Sequence, residues 1–255
     1  MKTNPLTISV ITVTLNCRET VDDFINSISD QSWSYREHIV VDGFSSDGTL
    51  QLLENRRQKF NKFLSEPDKG IYDALNKGIK MSSGDVIGFL HADDIYANND
   101  VLAKIAKVFS EDSTVCAVYG DLQYVSKNDV KKVLRHWKSK PFNLNNLNWG
   151  WMPPHPSLYV RRECYDKIGL FDHGYHISAD YLSILKLFSM PNFKSVYIPE
   201  VFIKMRVGGK SNRSLKNIMR KSFEDFRALR QVKIGAFGGF GALLWKNLSK
   251  LLQFI

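Results

Sequence analysis

The sequence predicts an α/β protein built on a mainly parallel sheet with helices on both faces. Three observations carry that reading. Short runs rich in Val, Ile and Thr recur at residues 6–15, 38–41, 86–90 and 115–118. Stretches with apolar residues at helical spacing separate them, and such alternation is the mark of βα units. The chain has 255 residues, 44% of them hydrophobic and 24% charged, which suits one large domain, alone or with an appended arm, and excludes disorder and fibre.

Each element follows from its residues. Residues 6–15 read as a strand buried on both faces or nearly so, because Ile, Val and Thr follow one another with little interruption. Residues 19–29 place Val21, Phe24, Ile25 and Ile28 on one helical face. The strand at 38–41 stops at Asp42-Gly43. Ser46-Asp47-Gly48-Thr49 then gives a turn and the start of a helix over 49–59. A helix over 71–81 is halted by Ser82-Ser83-Gly84-Asp85. The strand at 86–90, a helix over 101–109 and the strand at 115–118 continue the pattern to about residue 120. Beyond it, 123–137 reads as a hairpin. Residues 143–156 form a long loop with two tryptophans and three prolines, and such loops often carry function. A helix over 178–188, an extended run over 195–207 and helix again from 214 complete the chain.

Charge is divided unevenly. The whole chain carries +9, yet residues 204–255 hold 12 basic and 2 acidic side chains, a net of +10 that leaves −1 for the rest. A basic tail on a near-neutral body points to an anionic partner. Cys17, Cys116 and Cys164 are few, scattered and odd in number, which fits a reducing compartment and no disulfide framework. The opening residues do not read as a secretion signal: only Lys2 precedes a run that Thr and Ser interrupt. No stretch approaches the roughly 18–20 apolar residues that span a bilayer.

In an open parallel sheet, ligands bind beyond the carboxyl ends of the strands. The first strand ends in Thr14-Leu15-Asn16, the second in Asp42-Gly43-Phe44-Ser45-Ser46-Asp47, and the third in His91-Ala92-Asp93-Asp94. A carboxylate is costly to bury unless it is paired or bound to metal. Two adjacent ones at a strand end suggest a divalent cation, and oxygen ligands suit Mg²⁺ or Mn²⁺ bridging a diphosphate. Taken singly, Asp93-Asp94 can also cap the next helix, and Asp42 can be a simple turn residue.

An ordered set of motifs then becomes visible: Thr12-Val-Thr-Leu-Asn16, Val41-Asp-Gly-Phe-Ser-Ser-Asp-Gly-Thr49, Ser65-Glu-Pro-Asp-Lys-Gly-Ile-Tyr-Asp-Ala-Leu-Asn-Lys-Gly78, Phe89-Leu-His-Ala-Asp-Asp94, Phe171-Asp172, Ala179-Asp-Tyr181 and Arg206-Val-Gly-Gly-Lys-Ser211. Over roughly residues 6–211 the chain resembles the family 2 glycosyltransferases, most of all bacterial enzymes that build surface polysaccharides such as O-antigen, colanic acid or capsule. The resemblance implies the glycosyltransferase A fold, a mixed, mainly parallel sheet with flanking helices, and a metal-bound nucleotide-sugar, usually a UDP-sugar. It implies that Asp42 bonds the base, that Thr14, Asn16, Lys69 and Asn76 line the nucleotide pocket, and that Asp93 and Asp94 serve the ribose and a Mn²⁺ or Mg²⁺ ion. The family often has Asp-x-Asp where this chain has His91, which removes one carboxylate.

The same resemblance makes Asp180 the catalytic base of an inverting transfer. With Ser178 as N-cap, Asp180 falls in the first helical turn, where the positive end of the helix favours the ionised form a base needs. On residue type alone, Asp180 can equally decorate the helix start. His155 lies in the loop where the family contacts its acceptor, and a structural role in that loop is the alternative. Trp149 and Trp151 can stack on sugar rings or anchor the core. The expected division is a catalytic domain over 1–211, with a nucleotide-sugar half (1–120) and an acceptor half (121–211), and a basic helical tail over 212–255.

That tail carries two apolar stripes. Leu215, Ile218, Met219, Phe223, Phe226, Leu229 and Val232 form the first, and Leu243, Leu244, Leu248, Leu251, Leu252 and Ile255 the second. Either they pack on the body or they lie in a membrane interface near anionic lipid. The expected setting is cytoplasmic, peripheral on the inner face of the cell membrane, with a saccharide or lipid-linked saccharide as acceptor. Other activities fit poorly. Lys210 follows two glycines, but a P-loop needs Gly where Lys204 stands, and no GxGxxG follows any strand. A sugar-nucleotide nucleotidyltransferase is expected to carry a glycine-rich basic loop after its first strand. A nucleic-acid-binding protein would not place carboxylates at its strand ends.

Overall fold

The computed structural model describes residues 5–208, 215–234, 239, 241 and 242. Strand β1 (Ile8–Thr14) is buried along its whole length. It lies between β2 (Arg36–Asp42) and β4 (Val86–Phe89), parallel to both, and β3 (Lys62–Ser65) extends the sheet beside β2. Successive residues of β1 feed opposite faces. Ile8 and Val10 join one apolar cluster, and Ile11 and Val13 join the other, as the two-residue period of a strand requires.

Helices cover both faces. On one, α1 (Val21–Ser29) inserts Phe24 and Ile25, and α4 (Val101–Glu111) inserts Ile105 and Phe109. On the other, α3 (Ile71–Met81) contributes Leu75 and Ile79. Gly78 lets α3 settle directly onto β1, since a Cβ there would stand 2.4 Å from Cγ2 of Ile11. Helix α2 (Thr49–Asn55) ends earlier than the predicted 49–59, and a 3₁₀ turn over Arg57–Lys59 takes up the remainder.

The sheet is mixed and mainly parallel, as expected. Strand β8 (Leu158–Arg161) runs antiparallel between β4 and β6 (Ala117–Val125), and β9 (Ser195–Arg206) then pairs with β6 in parallel. A short β5 (Asp94–Tyr96) closes the order β3-β2-β1-β4-β8-β6-β9-β5. The predicted hairpin is present, but its first arm belongs to the long β6. Its second arm is β7 (Val133–Trp137). The loop over 143–156 holds the short α5 (Leu144–Asn148), and α6 (Arg162–Ile168) follows β8. Helix α7 (Ala179–Phe188) matches the expectation. So does α8 (Leu215–Val232), while the second tail stripe and Lys210 lie outside the described residues.

Two titratable groups, Glu37 and His38, are buried near the amino end of β2. Burial works against the charge of Glu37, but hydrogen bonds from Lys62, Ser83 and Ser9 overcome it and hold the carboxyl at about 2. His38 sits edge-on between Phe24 and Phe60, and burial, helped by the charge of Arg36, pushes its ring down to about 3. Its folded value therefore lies below the unfolded one, near 6.5, and the unfolded chain binds the extra proton. Folding stability should fall as pH drops from about 6.5 towards 4, by about 1.4 kcal/mol per pH unit from this residue. Thermal unfolding followed by circular dichroism between pH 7 and 4 checks this, and His38→Gln should flatten the profile.

Candidate active site

The carboxyl ends of β1, β2 and β3 place Thr14, Asp42 and Ser65 side by side across the sheet. Asp42 is wholly buried, and four donors meet its two oxygens. Oδ1 accepts the hydroxyls of Thr14 (2.9 Å) and Ser45 (2.5 Å). Oδ2 accepts the Ser45 backbone N–H (2.9 Å) and the Ser65 hydroxyl (2.9 Å). Asp42 thus spends both oxygens inside the fold, on Thr14, Ser45 and Ser65.

Asn16 joins the loops after β1 and β2. Its Oδ1 accepts the Ser46 N–H (2.9 Å), and its own N–H donates to Ser45 Oγ (2.9 Å). Gly43 leaves room for the Asp68 carboxylate, because a Cβ there would stand 2.3 Å from Oδ2 of Asp68 and 3.4 Å from Leu15. Phe44 adopts a left-handed backbone (φ 64°) and is 63% exposed. A bulky residue in that conformation is a backbone outlier of the kind that gathers at binding sites. Lys69 is also exposed, just ahead of α3. These residues form an open rim of apolar, amide, acidic and basic groups.

The third strand end separates its two carboxylates. Asp93 is partly buried, and its carbonyl accepts from Arg206 Nη1 (2.8 Å). Asp94 is 1% exposed within β5, whose partner in β9 is Met205. Burial first, and the charge of Asp93 second, push Asp94 well above the usual carboxylate range, with Arg206 opposing only in part. The two residues expected to share one metal site therefore differ: the partly accessible carboxylate is Asp93, and Asp94 is enclosed.

Asp180 occupies the first turn of α7. The Tyr72 hydroxyl lies 3.0 Å from its Oδ1 and 2.6 Å from the Ile177 carbonyl oxygen. Burial, reinforced by the adjacent Asp180 charge, raises the Tyr72 phenol far above its usual value, so it remains a donor. His91 is lowered by burial, and the charges of Asp93 and Asp180 partly offset this. His155 is stacked on Phe89 at 5.4 Å and lies 6.2 Å from His91, ring to ring. Burial brings His155 down to about 4, against the charge of Asp180. The structure thus gathers His91 and His155, both within electrostatic reach of Asp180, with Asp93 in reach of His91.

Two predicted residues are placed elsewhere. Asn76 is buried and brackets Phe171, donating to its carbonyl (2.9 Å) and accepting its N–H (2.9 Å). It fixes the Phe171-Asp172 segment and does not line the nucleotide rim, because both ends of its amide are consumed. Trp151 packs among Tyr119, Phe142 and Phe188 at 6.0–6.2 Å, so the aromatic core takes it up. Trp149 is 46% exposed. Sequence reasoning missed Tyr72 and Asp68. Both fall inside the motif 65–78, but no residue-type rule assigned either one a role.

No three His, Cys, Asp or Glu side chains among the described residues form a set able to hold a metal ion unaided. Asp93 does offer one accessible carboxylate. Mg²⁺ and Mn²⁺ are commonly held by one or two carboxylates together with substrate phosphates. The donor set therefore fits an ion shared with a diphosphate.

Comparison with known proteins agrees with this geometry. The profile described as Glycosyl transferase family 2 matches residues 9–169. A PGL/p-HBAD biosynthesis glycosyltransferase of Mycobacterium bovis is 30% identical over 208 residues, covering 80% of this chain and 78% of that one. Among solved structures, S. aureus TarS 1–349 in complex with UDP-GlcNAc superposes with a TM-score of 0.68 at 18% identity, over 89% of this chain and 65% of that one. This chain spans 39% of a longer TarS chain. The mannosyltransferase PcManGT of Pyrobaculum calidifontis, in complex with GDP-Man and Mn²⁺, gives 0.65 at 18% identity, over 96% of this chain and 70% of that one. These likenesses establish the glycosyltransferase A fold.

The network around Asp42 makes a stability prediction. Asp42→Asn turns one buried acceptor into a donor facing donors. It should cost about 1–3 kcal/mol, read as a lower midpoint in urea unfolding with an unchanged slope.

Proposed function

The chain belongs to glycosyl transferase family 2, and from that premise we propose that it moves a sugar from a nucleotide-diphospho-sugar, a UDP-sugar foremost, to a hydroxyl of a saccharide acceptor, with inversion, in building bacterial cell-surface polysaccharide. One observation carries the proposal: Asp180, at the amino end of α7 and in reach of the Tyr72 hydroxyl, belongs to the same group as Asp93, His91 and His155. The donor would lie along the rim of Leu15, Asn16, Phe44 and Lys69, with its diphosphate near Asp93.

In this reading Asp180 takes the proton of the acceptor hydroxyl as that oxygen attacks the anomeric carbon from the face opposite the nucleotide. General-base catalysis of this kind contributes about 10²–10⁴-fold. The Tyr72 hydroxyl holds the Asp180 oxygen in place. His91 and His155, neutral near pH 7, hydrogen-bond sugar hydroxyls without competing with Asp180 for the proton. A divalent cation held by Asp93 and the diphosphate would neutralise charge on the leaving group. Residues 1–120 supply the donor side, and 121–211 the acceptor side.

The reading extends to location: peripheral, at the inner face of the cell membrane, with a lipid-linked acceptor. Two observations support it. Met219 and Phe223 of α8 are 73% and 69% exposed, with Arg220 and Arg230 also exposed on that helix. Among the described residues, no helix is long and apolar enough to cross a membrane.

Four measurements test the proposal. Nucleotide release should appear with one member of a panel of UDP-, GDP- and dTDP-sugars in Mn²⁺. Asp93→Ala should remove the metal-dependent turnover, and near-normal activity in that variant or in EDTA would refute the metal assignment. Asp180→Asn should keep UDP affinity within a few-fold and lower transfer by about 10²-fold or more. Finally, the protein should sediment with anionic liposomes at low salt. Binding should weaken at high salt and in Met219→Asp/Phe223→Asp, whereas protein left in the supernatant at low salt would rule the membrane reading out.

A further inference from the structure

We propose that Glu224, on α8, is a positioning residue for the catalytic carboxylate Asp180. The inference rests on the glycosyltransferase reading with Asp180 as base.

Three consecutive backbone amides, those of His176, Ile177 and Ser178, point at the one carboxylate of Glu224. Oε2 accepts from Ile177 (2.8 Å), Ser178 (3.0 Å) and His176 (3.2 Å), and Oε1 also accepts from His176 (3.1 Å). Glu224 is 5% exposed. A carboxylate so enclosed needs that density of donors to be tolerated. The segment it grips runs directly into α7, where Asp180 is the second residue.

The helix does not cap itself. Ser178 occupies the N-cap position, yet its side chain makes no capping hydrogen bond. Glu224 supplies the negative group at this helix start, where the exposed amides and the helix dipole favour one. A carboxylate from a helix 46 residues further along the chain thus takes the N–H of the N-cap residue and of the two before it.

The same stretch is held from its other side. Tyr72 reaches the Ile177 carbonyl and Asp180 with one hydroxyl. Its geometry towards Asp180 therefore depends on where the 176–178 backbone stands, and Glu224 sets that position. Two neighbours on α8 extend the grip. Arg227 donates to the Gly174 carbonyl (3.1 Å) and lies over the Tyr175 ring at 4.4 Å, and Gln231 accepts the Tyr175 hydroxyl (2.9 Å). Residues 224, 227 and 231 share one helical face. Loss of the Glu224 contacts would let the start of α7 move, and a displacement of about 1 Å in reacting groups can cost about 10²-fold in rate.

A double-mutant cycle on nucleotide release from the donor found in the panel tests this, with UDP binding in Mn²⁺ measured alongside. Glu224→Ala should lower kcat by roughly 10–100-fold and leave UDP affinity within about twofold. Glu224→Gln, which keeps an acceptor oxygen, should recover most of the rate. In the Asp180→Asn background, Glu224→Ala should cost no more than about twofold, since the group it positions is already gone. The proposal is overturned if Glu224→Ala turns over at the wild-type rate, if it loses UDP binding together with turnover, or if its cost is undiminished in the Asp180→Asn background. Wild-type protein that releases nucleotide from no donor overturns the glycosyltransferase reading, and this inference with it.

Discussion

The buried carboxylate of Asp42 is the constraint on which the site depends. A charge at the end of a central strand, closed off from water, is tolerated only because neighbouring strand ends bring donors to it. Thr14 and Ser65 are its register partners on β1 and β3. A slip of one residue in either pairing would turn a donor to the other face and leave the carboxylate short of a partner. The row therefore fixes the register of three parallel strands while it holds Ser45, and through Ser45 and Ser46 the Asn16 loop, in a single conformation. The fold is specified where the ligand-facing surface begins.

Charge in the site is sorted by depth. Asp94 is enclosed and burial pushes its carboxyl up, while Asp93, one residue away, remains partly accessible. The two histidines beside them are lowered by burial, so they stay neutral although carboxylates surround them. Neutral imidazoles can accept and donate hydrogen bonds at once, and they add no positive charge that would attract a departing diphosphate to the wrong place. On the proposed reading, proton acceptance at Asp180 would be kept apart from the metal and diphosphate at Asp93, and both from hydroxyl recognition.

Much of this was legible in the residues. The Val/Ile runs of β1, β2 and β4 and the amphipathic helices α1, α3 and α4 follow from periodicity, because each buries a long stretch of one kind of surface. The meeting of Thr14 with Asp42 follows from reading what comes after the first two strands. Strands β3 (KFLS), β5 (DIY) and β8 (LYVR) were not visible, since each short run begins or ends in a charged or polar residue and takes its conformation from pairing with its neighbours. Asn76 was assigned by its place in a motif, and only tertiary structure reveals that Phe171 consumes its amide. Glu224 carried no signal at all. A glutamate on a basic amphipathic helix looks like a solvated residue until the 176–178 backbone is folded against it.

Trp149 and Trp151 stand two residues apart, one in water and one among Tyr119, Phe142 and Phe188. Their indoles differ in exposure on one short piece of chain, Trp149 being 46% exposed and Trp151 partly buried against the core. Emission from Trp151 is tied to the integrity of the aromatic core, whereas Trp149 is open to collisional quenchers. The loop thereby carries a built-in pair of optical reporters: one for the state of the fold, the other for whatever comes to cover the loop's surface.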